Sequence, residues 1–293
     1  MKRFLIPLIL LLFFFQIKGQ SLLINEYRKS GYSRVSDLSI FNLADGSKES
    51  LPIELGNEWW LSDRMIFSVI KAGIMKVSLN DQSSDTLSIE GYISAADGTS
   101  SYTIISISKT EVDSQFGNIV EKQYWNGNNV RVANYDKLIL GLKMSWDEAK
   151  VAIVTEDDDS FKQLYIHDLN RGTKMILAEF SSSEYLGGKD QPILLQWTDD
   201  NKLIYSIIDE MNEEQRYYCS AQGNELKLLF SHEYDGEMSD FFYFYKDKIY
   251  KLKRSNYDYT QLLSINMKTG EREIAMSLNE GNTFSSLAGF IIR

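Results

Sequence analysis

The sequence has little cysteine, histidine or proline: one Cys, two His and three Pro among 293 residues. A lone Cys219 cannot form an internal disulfide, so packing must stabilise the fold. We interpret Cys219 as a buried, inert thiol on a strand. His167, on a predicted strand, and His232, near a loop, are far apart in the sequence. A zinc site or a catalytic triad is therefore not predicted, and both are interpreted as solvated or hydrogen-bonded surface side chains.

Catalytic and nucleotide-binding motifs are also absent from the sequence. It contains no G-x-S-x-G, H-E-x-x-H, C-x-x-C, P-loop or G-x-G-x-x-G pattern. Beyond the first twenty residues, no segment keeps a helical hydrophobic period over twelve residues or more. These absences argue against the common enzyme classes and against a helical or α/β domain.

Aromatic residues are plentiful, at 13% of the chain, and the formal net charge is -10. Aromatic enrichment with little proline favours β-strands over disorder. An acidic surface argues against nucleic acid and anionic membranes as partners.

Residues 1–20 have the pattern of a secretory signal peptide. Lys2 and Arg3 precede the apolar run 4–15, which is shorter than the roughly 20 residues that a spanning helix needs. We predict cleavage near Gly19 or Gln20, which changes the formal charge from -10 to -13 and leaves no membrane anchor. An uncleaved anchor is the alternative. Domain boundaries are therefore predicted as 1–20, signal peptide, and 21–293, a single domain in the periplasm or outside the cell.

One supersecondary unit recurs along the mature chain: an apolar strand, a polar turn that usually contains Gly, and a second strand. Its clearest copy lies in Trp197–Phe230. Turn centres fall near residues 46, 83, 127, 172, 223 and 270. Spacings of about 40 to 50 residues are typical of propeller blades with four strands each. We predict an all-β fold, a single β-propeller of six four-stranded blades, with seven as the alternative.

The two chain ends are predicted to meet in one blade. Residues 22–27 and 284–292 each form a strand that lacks hairpin partners in its own neighbourhood. Joining them closes the ring and removes exposed sheet edges. A Trp or Tyr before each turn, such as Trp197, is expected to pack between neighbouring blades.

The repeat resembles that of TolB-type, WD-repeat-like β-propellers. The resemblance is carried by Ser145-Trp-Asp-Glu-Ala-Lys150, by Leu164-Tyr-Ile-His-Asp-Leu169 before Gly172, and by Trp197–Phe230. It is similar also to the amino-terminal propeller of dipeptidyl-peptidase-type enzymes, without their hydrolase domain. The resemblance implies a fold and no activity. Glu148 or Asp200 stands where these repeats usually have Gly, so those turns are expected to differ.

Acidic residues cluster in the loops that join the second and third strands of a blade, or one blade to the next. One-sided charge can bind Ca²⁺ or steer a basic partner, whereas charged loops that only keep the protein soluble are the alternative. No loop matches the EF-hand pattern, so no metal or cofactor is predicted, with Ca²⁺ as an alternative. The candidate binding residues are Asp157, Asp158, Asp159, Glu184, Tyr185, Asp190, Asp209, Glu210, Tyr257 and Tyr259.

The aromatic run 241–245 is interpreted as an inner strand with both faces buried. A surface on which carbohydrate stacks, joined by the loop 254–259 with Tyr257 and Tyr259, is the alternative.

Together these patterns predict a non-catalytic binding or scaffold module. It would recognise a protein, peptide or glycan through its loop-bearing rim. The alternative is an enzyme built on a lone propeller, a lyase or glycosidase that acts on a carbohydrate with paired carboxylates at the channel mouth. Scarce histidine counts against that alternative.

Overall fold

The computed structural model describes twenty-four β-strands. It describes residues 20–30, 33–42, 47–51, 58–62, 65–108, 119–157, 161–180, 191–198, 200–208, 214–220, 226–233, 242–255, 258–277 and 282–291. In these ranges, no helix has the length and hydrophobicity that a membrane crossing requires. The predicted signal peptide lies almost wholly outside them and stays a prediction.

The strands group by antiparallel pairing into units of four, which we call blades. Blade 1 contains β24 (Asn282–Ile291), β1 (Gln20–Ser30), β2 (Ser33–Asn42) and β3 (Lys48–Leu51). Blade 2 contains β4 (Glu58–Ser62), β5 (Met65–Ile70), β6 (Gly73–Ser78) and β7 (Ser84–Ser88). Blade 3 contains β8 (Tyr92–Gly98), β9 (Tyr102–Ser108), β10 (Ile119–Tyr124) and β11 (Asn129–Asn134).

The second half of the chain repeats this order. Blade 4 contains β12 (Leu138–Met144), β13 (Lys150–Glu156), β14 (Lys162–Asp168) and β15 (Thr173–Phe180). Blade 5 contains β16 (Gln191–Trp197), β17 (Leu203–Ile208), β18 (Glu214–Ser220) and β19 (Leu226–Glu233). Blade 6 contains β20 (Phe242–Tyr245), β21 (Lys248–Ser255), β22 (Asp258–Asn266) and β23 (Arg272–Ser277).

The first strands of successive blades contact one another around a closed ring, β4, β8, β12, β16, β20 and β24. Counted by hydrogen bonding there are five sheets, because blades 6 and 1 are joined by the single pair Tyr259–Phe284. Counted by four-stranded units there are six. The prediction of one all-β propeller with four-stranded antiparallel blades is confirmed. Closure by the two chain ends is confirmed as well, since β1 pairs with β24 from Gln20–Ile291 to Arg28–Asn282.

Apolar side chains fill the spaces between adjacent blades, because alternate residues of each strand face opposite neighbours. The cluster between blades 4 and 5 contains Ala152, Leu164, Trp197 and Tyr205. Trp197 is buried there, and its indole Nε1 donates to the carbonyl of Lys143 in blade 4 at 2.9 Å. The predicted placement of an aromatic residue between blades is thus confirmed for Trp197.

The inner aromatic run behaves as predicted where its side chains are described. Phe244 packs with the cluster between blades 5 and 6, while Tyr243 and Tyr245 pack between blades 6 and 1. Phe241 and the side chain of Phe242 lie outside the described residues. Cys219 is half-buried in the cluster of blades 5 and 6, and burial raises the pKa of its thiol. An inert thiol agrees with this environment.

In the described ranges, four turns contain a non-glycine residue in the left-handed region of backbone space, at Gln82, Glu148, Asn201 and Lys246. Glu148 and Asn201 both have φ of 57°. The expectation that Glu148 occupies a glycine position is confirmed, whereas in the next blade the residue is Asn201 and not Asp200. Asn tolerates this conformation better than most residues. In the turns of Glu148 and Asn201 a hydroxyl closes the loop: Ser145 Oγ accepts from Lys150 N at 2.9 Å, and Thr198 Oγ1 accepts from Lys202 N at 3.0 Å.

Replacing Glu148 by glycine is expected to stabilise the protein. A non-glycine residue with left-handed φ costs about 1–2 kcal/mol of stability, which glycine does not. Glycine instead loses more conformational entropy on folding, which offsets about 0.5–1 kcal/mol of the benefit. We expect the free energy of unfolding to rise by roughly 0.5–1 kcal/mol, measured as the urea midpoint. The neighbouring variant Ala149→Gly is the control and should lower it. A lower midpoint for Glu148→Gly would contradict the prediction.

His167 lies on β14 as predicted, but its predicted surface position is wrong. The imidazole is buried, with 4% of its surface exposed. Tyr165, two residues earlier on the same strand, belongs to the apolar cluster between blades 3 and 4, so His167 faces blade 3. His232 is near the end of β19, where its Nδ1 lies 2.6 Å from the carbonyl of Glu233.

Candidate binding surface at the loop rim

The two ends of the propeller differ in their connections. Antiparallel pairing places the links between second and third strands, and between blades, at one rim; the remaining turns lie at the opposite rim. The three longest connections, 109–118, 181–190 and 234–241, all belong to the first set. We call that end the loop rim and the opposite end the turn rim. Variable recognition segments on a rigid scaffold are typical of binding proteins.

Most of the sequence-predicted binding residues lie outside the described residues. This applies to Asp158, Asp159, Glu184, Tyr185, Asp190, Asp209, Glu210 and Tyr257. The strands that flank these residues end at the loop rim. Because the residues themselves are outside the described ranges, their placement at that rim stays a prediction. The backbone of Tyr259 is described, and it pairs with Arg254 in β21 and with Phe284 in β24.

Asp157 is the predicted site residue whose side chain the structure describes. Its Oδ1 accepts from the backbone N of Phe161 at 2.8 Å, and its Oδ2 lies 3.3 Å from the Lys137 ammonium. The same ammonium donates to Gln163 Oε1 at 2.8 Å. Asp157 therefore shapes the connection between β13 and β14 and neutralises Lys137. This role is structural, and it leaves the carboxylate half-buried beside the rim.

Hydrogen bonds continue from Gln163 along this side of blade 4. Gln163 Nε2 donates to Glu179 Oε1 at 2.6 Å, and the Tyr165 hydroxyl donates to Gln163 Oε1 at 2.5 Å. Polar groups that satisfy one another in this way form a rigid network. Lys137, Asp157, Gln163 and Glu179 thus fix the blade 4 side of the loop rim.

Two exposed apolar side chains that the sequence reasoning missed lie near the centre of the loop rim. Tyr92, at the start of β8, is 60% exposed, and Leu140, in the first half of β12, is 42% exposed. Both belong to axis-lining strands, and those two strands contact each other. Contiguous exposed apolar groups mark interaction sites, whereas single exposed apolar residues are normal.

The axis-lining strands are irregular beside these residues. Ser94 of β8 and Leu140 of β12 are each skipped in the pairing with the next strand, which defines a β-bulge at both positions. Bulges re-aim side chains and are common at barrel rims and beside functional sites. The bulge in β12 explains how Leu140 leaves the apolar layer that holds Ile139 and Leu142.

Deeper along the axis, Asp97 joins blades 3 and 4. Its Oδ2 accepts from the backbone N of Met144 at 2.7 Å, and its Oδ1 accepts from the backbone N of Gly98 at 3.0 Å. Burial raises the pKa of Asp97, and the nearby cation Lys143 opposes that shift. In blade 5, Gln196 makes the equivalent contact, accepting from the backbone N of Phe244 in blade 6 at 2.8 Å. These side chains cap inner-strand N–H groups of the following blade.

Metal ligands do not converge in the part of the chain that the structure describes. No three His, Cys, Asp or Glu side chains there come together in a way that could hold an ion. The Ca²⁺ alternative therefore depends on the acidic loop residues outside those ranges.

Comparisons with known proteins agree on the fold. No family model and no curated protein matches the sequence. One similar solved structure is a chain of a nidogen–laminin complex, with TM-score 0.56 and 12% identity over 92% of this chain and 98% of that one. An oligogalacturonate lyase in complex with manganese has TM-score 0.53 and 14% identity, covering 84% of this chain and 73% of its own.

A TolB protein from Agrobacterium tumefaciens is also similar, with TM-score 0.51 and 12% identity over 93% of this chain and 99% of that one. Its fold agrees with the TolB part of the sequence resemblance. The resemblance to dipeptidyl-peptidase propellers stays an expectation from sequence. Identities this low show a common architecture, and function must be argued from the site.

Proposed function

We propose that the chain is a non-catalytic binding module that recognises a protein, peptide or glycan through its loop rim. The observation that carries this proposal is the exposure of Tyr92 and Leu140 at the centre of that rim, on neighbouring axis-lining strands. Aromatic and aliphatic anchors surrounded by polar groups are typical of binding hot spots. The three long connections of the loop rim join strands that end at the same rim.

Immobilised mature protein, residues 21–293, tests the proposal. Tagged protein is used to capture partners from the envelope fraction of its own cells and to probe a glycan array. For any captured partner or glycan, we expect the double variant Tyr92→Ser, Leu140→Ser to bind about tenfold or more weakly, since hot-spot truncation costs about 2 kcal/mol.

A matched control removes equally exposed apolar groups elsewhere. Ile176 and Ile274 are 47% and 58% exposed on the outermost strands β15 and β23. The double variant Ile176→Ser, Ile274→Ser should bind as the parent protein does. Unchanged binding by the rim variant, or loss in the outer-strand variant, would contradict a loop-rim site.

An enzyme that acts on a carbohydrate is the second candidate, and the raised pKa of Asp97 is the observation that favours it. Against it, both carboxylate oxygens of Asp97 accept backbone hydrogen bonds, which indicates a positioning role. Acid–base cleavage of a glycosidic bond uses two carboxylates, and Asp97 is the one carboxylate whose side chain is described on the axis-lining strands. Turnover of oligogalacturonate, with or without Mn²⁺, would favour the enzyme.

Export to the periplasm or beyond belongs to the same proposal. It is supported by the pattern of residues 1–20. Amino-terminal sequencing of the protein recovered from the periplasm or medium is expected to start close to Gln20. Recovery of an uncleaved chain in the membrane fraction would contradict it.

A further inference from the structure

The faces of blades 3 and 4 that meet, which we call the blade 3–4 seam, enclose one buried histidine. Blade 3 contributes Tyr102, Ile104 and Val120, and blade 4 contributes Val151, Ile153 and Tyr165 to one apolar cluster. His167 follows Tyr165 by two residues on β14 and therefore faces the same seam. Neither ring nitrogen of His167 has a hydrogen-bond partner. An apolar seam of this kind suits the neutral imidazole and disfavours the charged form.

The charge that acts most strongly on His167 is a cation, Lys174. On β15, Lys174 is its direct partner in the pairing, and the Lys174 ammonium lies 4.9 Å and 5.5 Å from the ring centroids of Tyr135 and Tyr165. On blade 3, the seam-facing side of β10 carries Lys122, whose ammonium lies 3.5 Å from the Tyr102 ring centroid. These cation–π contacts hold both lysines along the seam.

The Asp147 and Glu148 carboxylates act on Tyr102 at the same seam, whereas the strands next to His167 offer few carboxylates to offset a charge on its ring. On β13 the residue opposite His167 is Val151, and the nearest charged residue, Lys150, pairs with Asp168. Asp168 follows His167 but faces the other way, and its Oδ1 accepts from the backbone N of Asn170 and of Arg171. Glu179 shares the seam-facing side of β15, but it lies at the far end, opposite Gln163. A protonated His167 would therefore lie near Lys174 without a carboxylate on its own face of β14.

We propose that the blade 3–4 seam is an acid-sensitive device in which protonation of His167 loosens the packing of blade 4 against blade 3. The seam also anchors Tyr135, just before the Lys137–Asp157 pair of the loop rim. Acidification would thus alter the rim as well as stability. This inference does not depend on what the rim binds.

The direction of the pH effect follows from the shift at His167. Burial lowers its pKa, Lys174 lowers it further, and Asp168 opposes them weakly. A depressed histidine pKa leaves stability intact above the unfolded value of about 6.5. As the pH falls below that value, the unfolded state binds the proton more readily and stability declines, until the folded imidazole also titrates.

Asp97 changes stability with pH in the opposite direction. Its pKa is raised, so its carboxyl binds a proton more readily in the folded state, and acid stabilises the fold at this position. Because both groups lie between blades 3 and 4, the histidine effect is cleanest in an Asp97→Asn background.

Two histidines in the whole chain allow a direct test by NMR. In a titration of the mature protein, the Cε1–H signal of His167 is expected to have its midpoint below about 6.5, the ordinary value for histidine. Variants of each histidine assign the two signals. A midpoint for His167 at or above about 6.5 would overturn the proposal.

Hydrogen exchange then tests the loosening itself. In Asp97→Asn protein, between about pH 7.5 and pH 5, exchange rates corrected for intrinsic pH dependence are expected to rise severalfold for β13 and β14, and to stay constant for β5 and β6. Adding His167→Gln should abolish the rise, whereas adding His232→Gln should retain it. Persistence of the rise with His167→Gln, or its absence from Asp97→Asn protein, would overturn the proposal. Should His167→Gln fail to fold, the titration of the parent protein still decides.

Discussion

Gly73→Ala is expected to destabilise the protein by about 4 kcal/mol or more, a loss that only severe steric or packing defects produce. Gly73 begins β6 with φ of +141°, a backbone conformation that side chains rarely adopt. A Cβ at this position would lie 2.0 Å from the carbonyl oxygen of Leu87. That oxygen belongs to the neighbouring strand β7, so the clash separates β6 from β7 or shifts the register of blade 2.

Gly172→Ala is the matched control for this substitution. Gly172 also has positive φ, +66°, but no atom lies within 4 Å of the position that its Cβ would occupy. Conformational cost alone should therefore be about 1–2 kcal/mol. Urea unfolding of both variants measures the difference, and we expect Gly73→Ala to have the lower midpoint. Equal midpoints would show that blade 2 accommodates the methyl group by a backbone shift.

Trp197→Ala is expected to cost about 3–5 kcal/mol, as large-to-small changes of buried aromatic residues do. Trp197 fills the space between blades 4 and 5 beside Ala152, Leu164 and Tyr205. Its removal leaves a cavity and also frees the carbonyl of Lys143, which accepts from the indole. Trp197→Phe should lose less, about 1–2 kcal/mol, because most of the contact area remains.

Trp146→Ala separates burial from hydrogen bonding. Its indole Nε1 donates to the Trp197 carbonyl at 2.7 Å, yet the residue is 39% exposed at the turn rim. We expect a cost of about 1 kcal/mol, close to one net hydrogen bond with little packing. Thermal unfolding of the three tryptophan variants compares them. A Trp146→Ala loss as large as that of Trp197→Ala would mean that the turn rim holds the blades together.

The regular spacing of the hairpins could be predicted from sequence because their turns require particular residues. Gly127, Gly172 and Gly270 all have positive φ, at the third-to-fourth strand turns where glycine was expected. The pairing of distant chain ends was also accessible, since two unpartnered strands remained. The burial of His167 could not be predicted from sequence, because a strand between two blades carries polar residues on either face. Only the arrangement of blade 3 decides which face becomes the seam.

The candidate site was harder to predict than the fold. Acidic residues such as Asp157 were identified by composition, but their partners, here Lys137 and Phe161, depend on how two strands end. Tyr92 and Leu140 looked like ordinary strand residues. Their exposure results from position at the end of an inner strand and from a bulge, and hydrophobic alternation contains no signal for either.

The pairing of β1 with β24 has a consequence for how the protein folds. Residues near the start of the sequence obtain their neighbour from residues some 260 positions later, so no partial chain can lock the circle. During synthesis β1 stays unpaired, solvated or bound by a chaperone, while the other blades assemble. A polypeptide of this design finishes folding only after its last strand has been synthesised, which makes premature truncation far more damaging than any surface substitution.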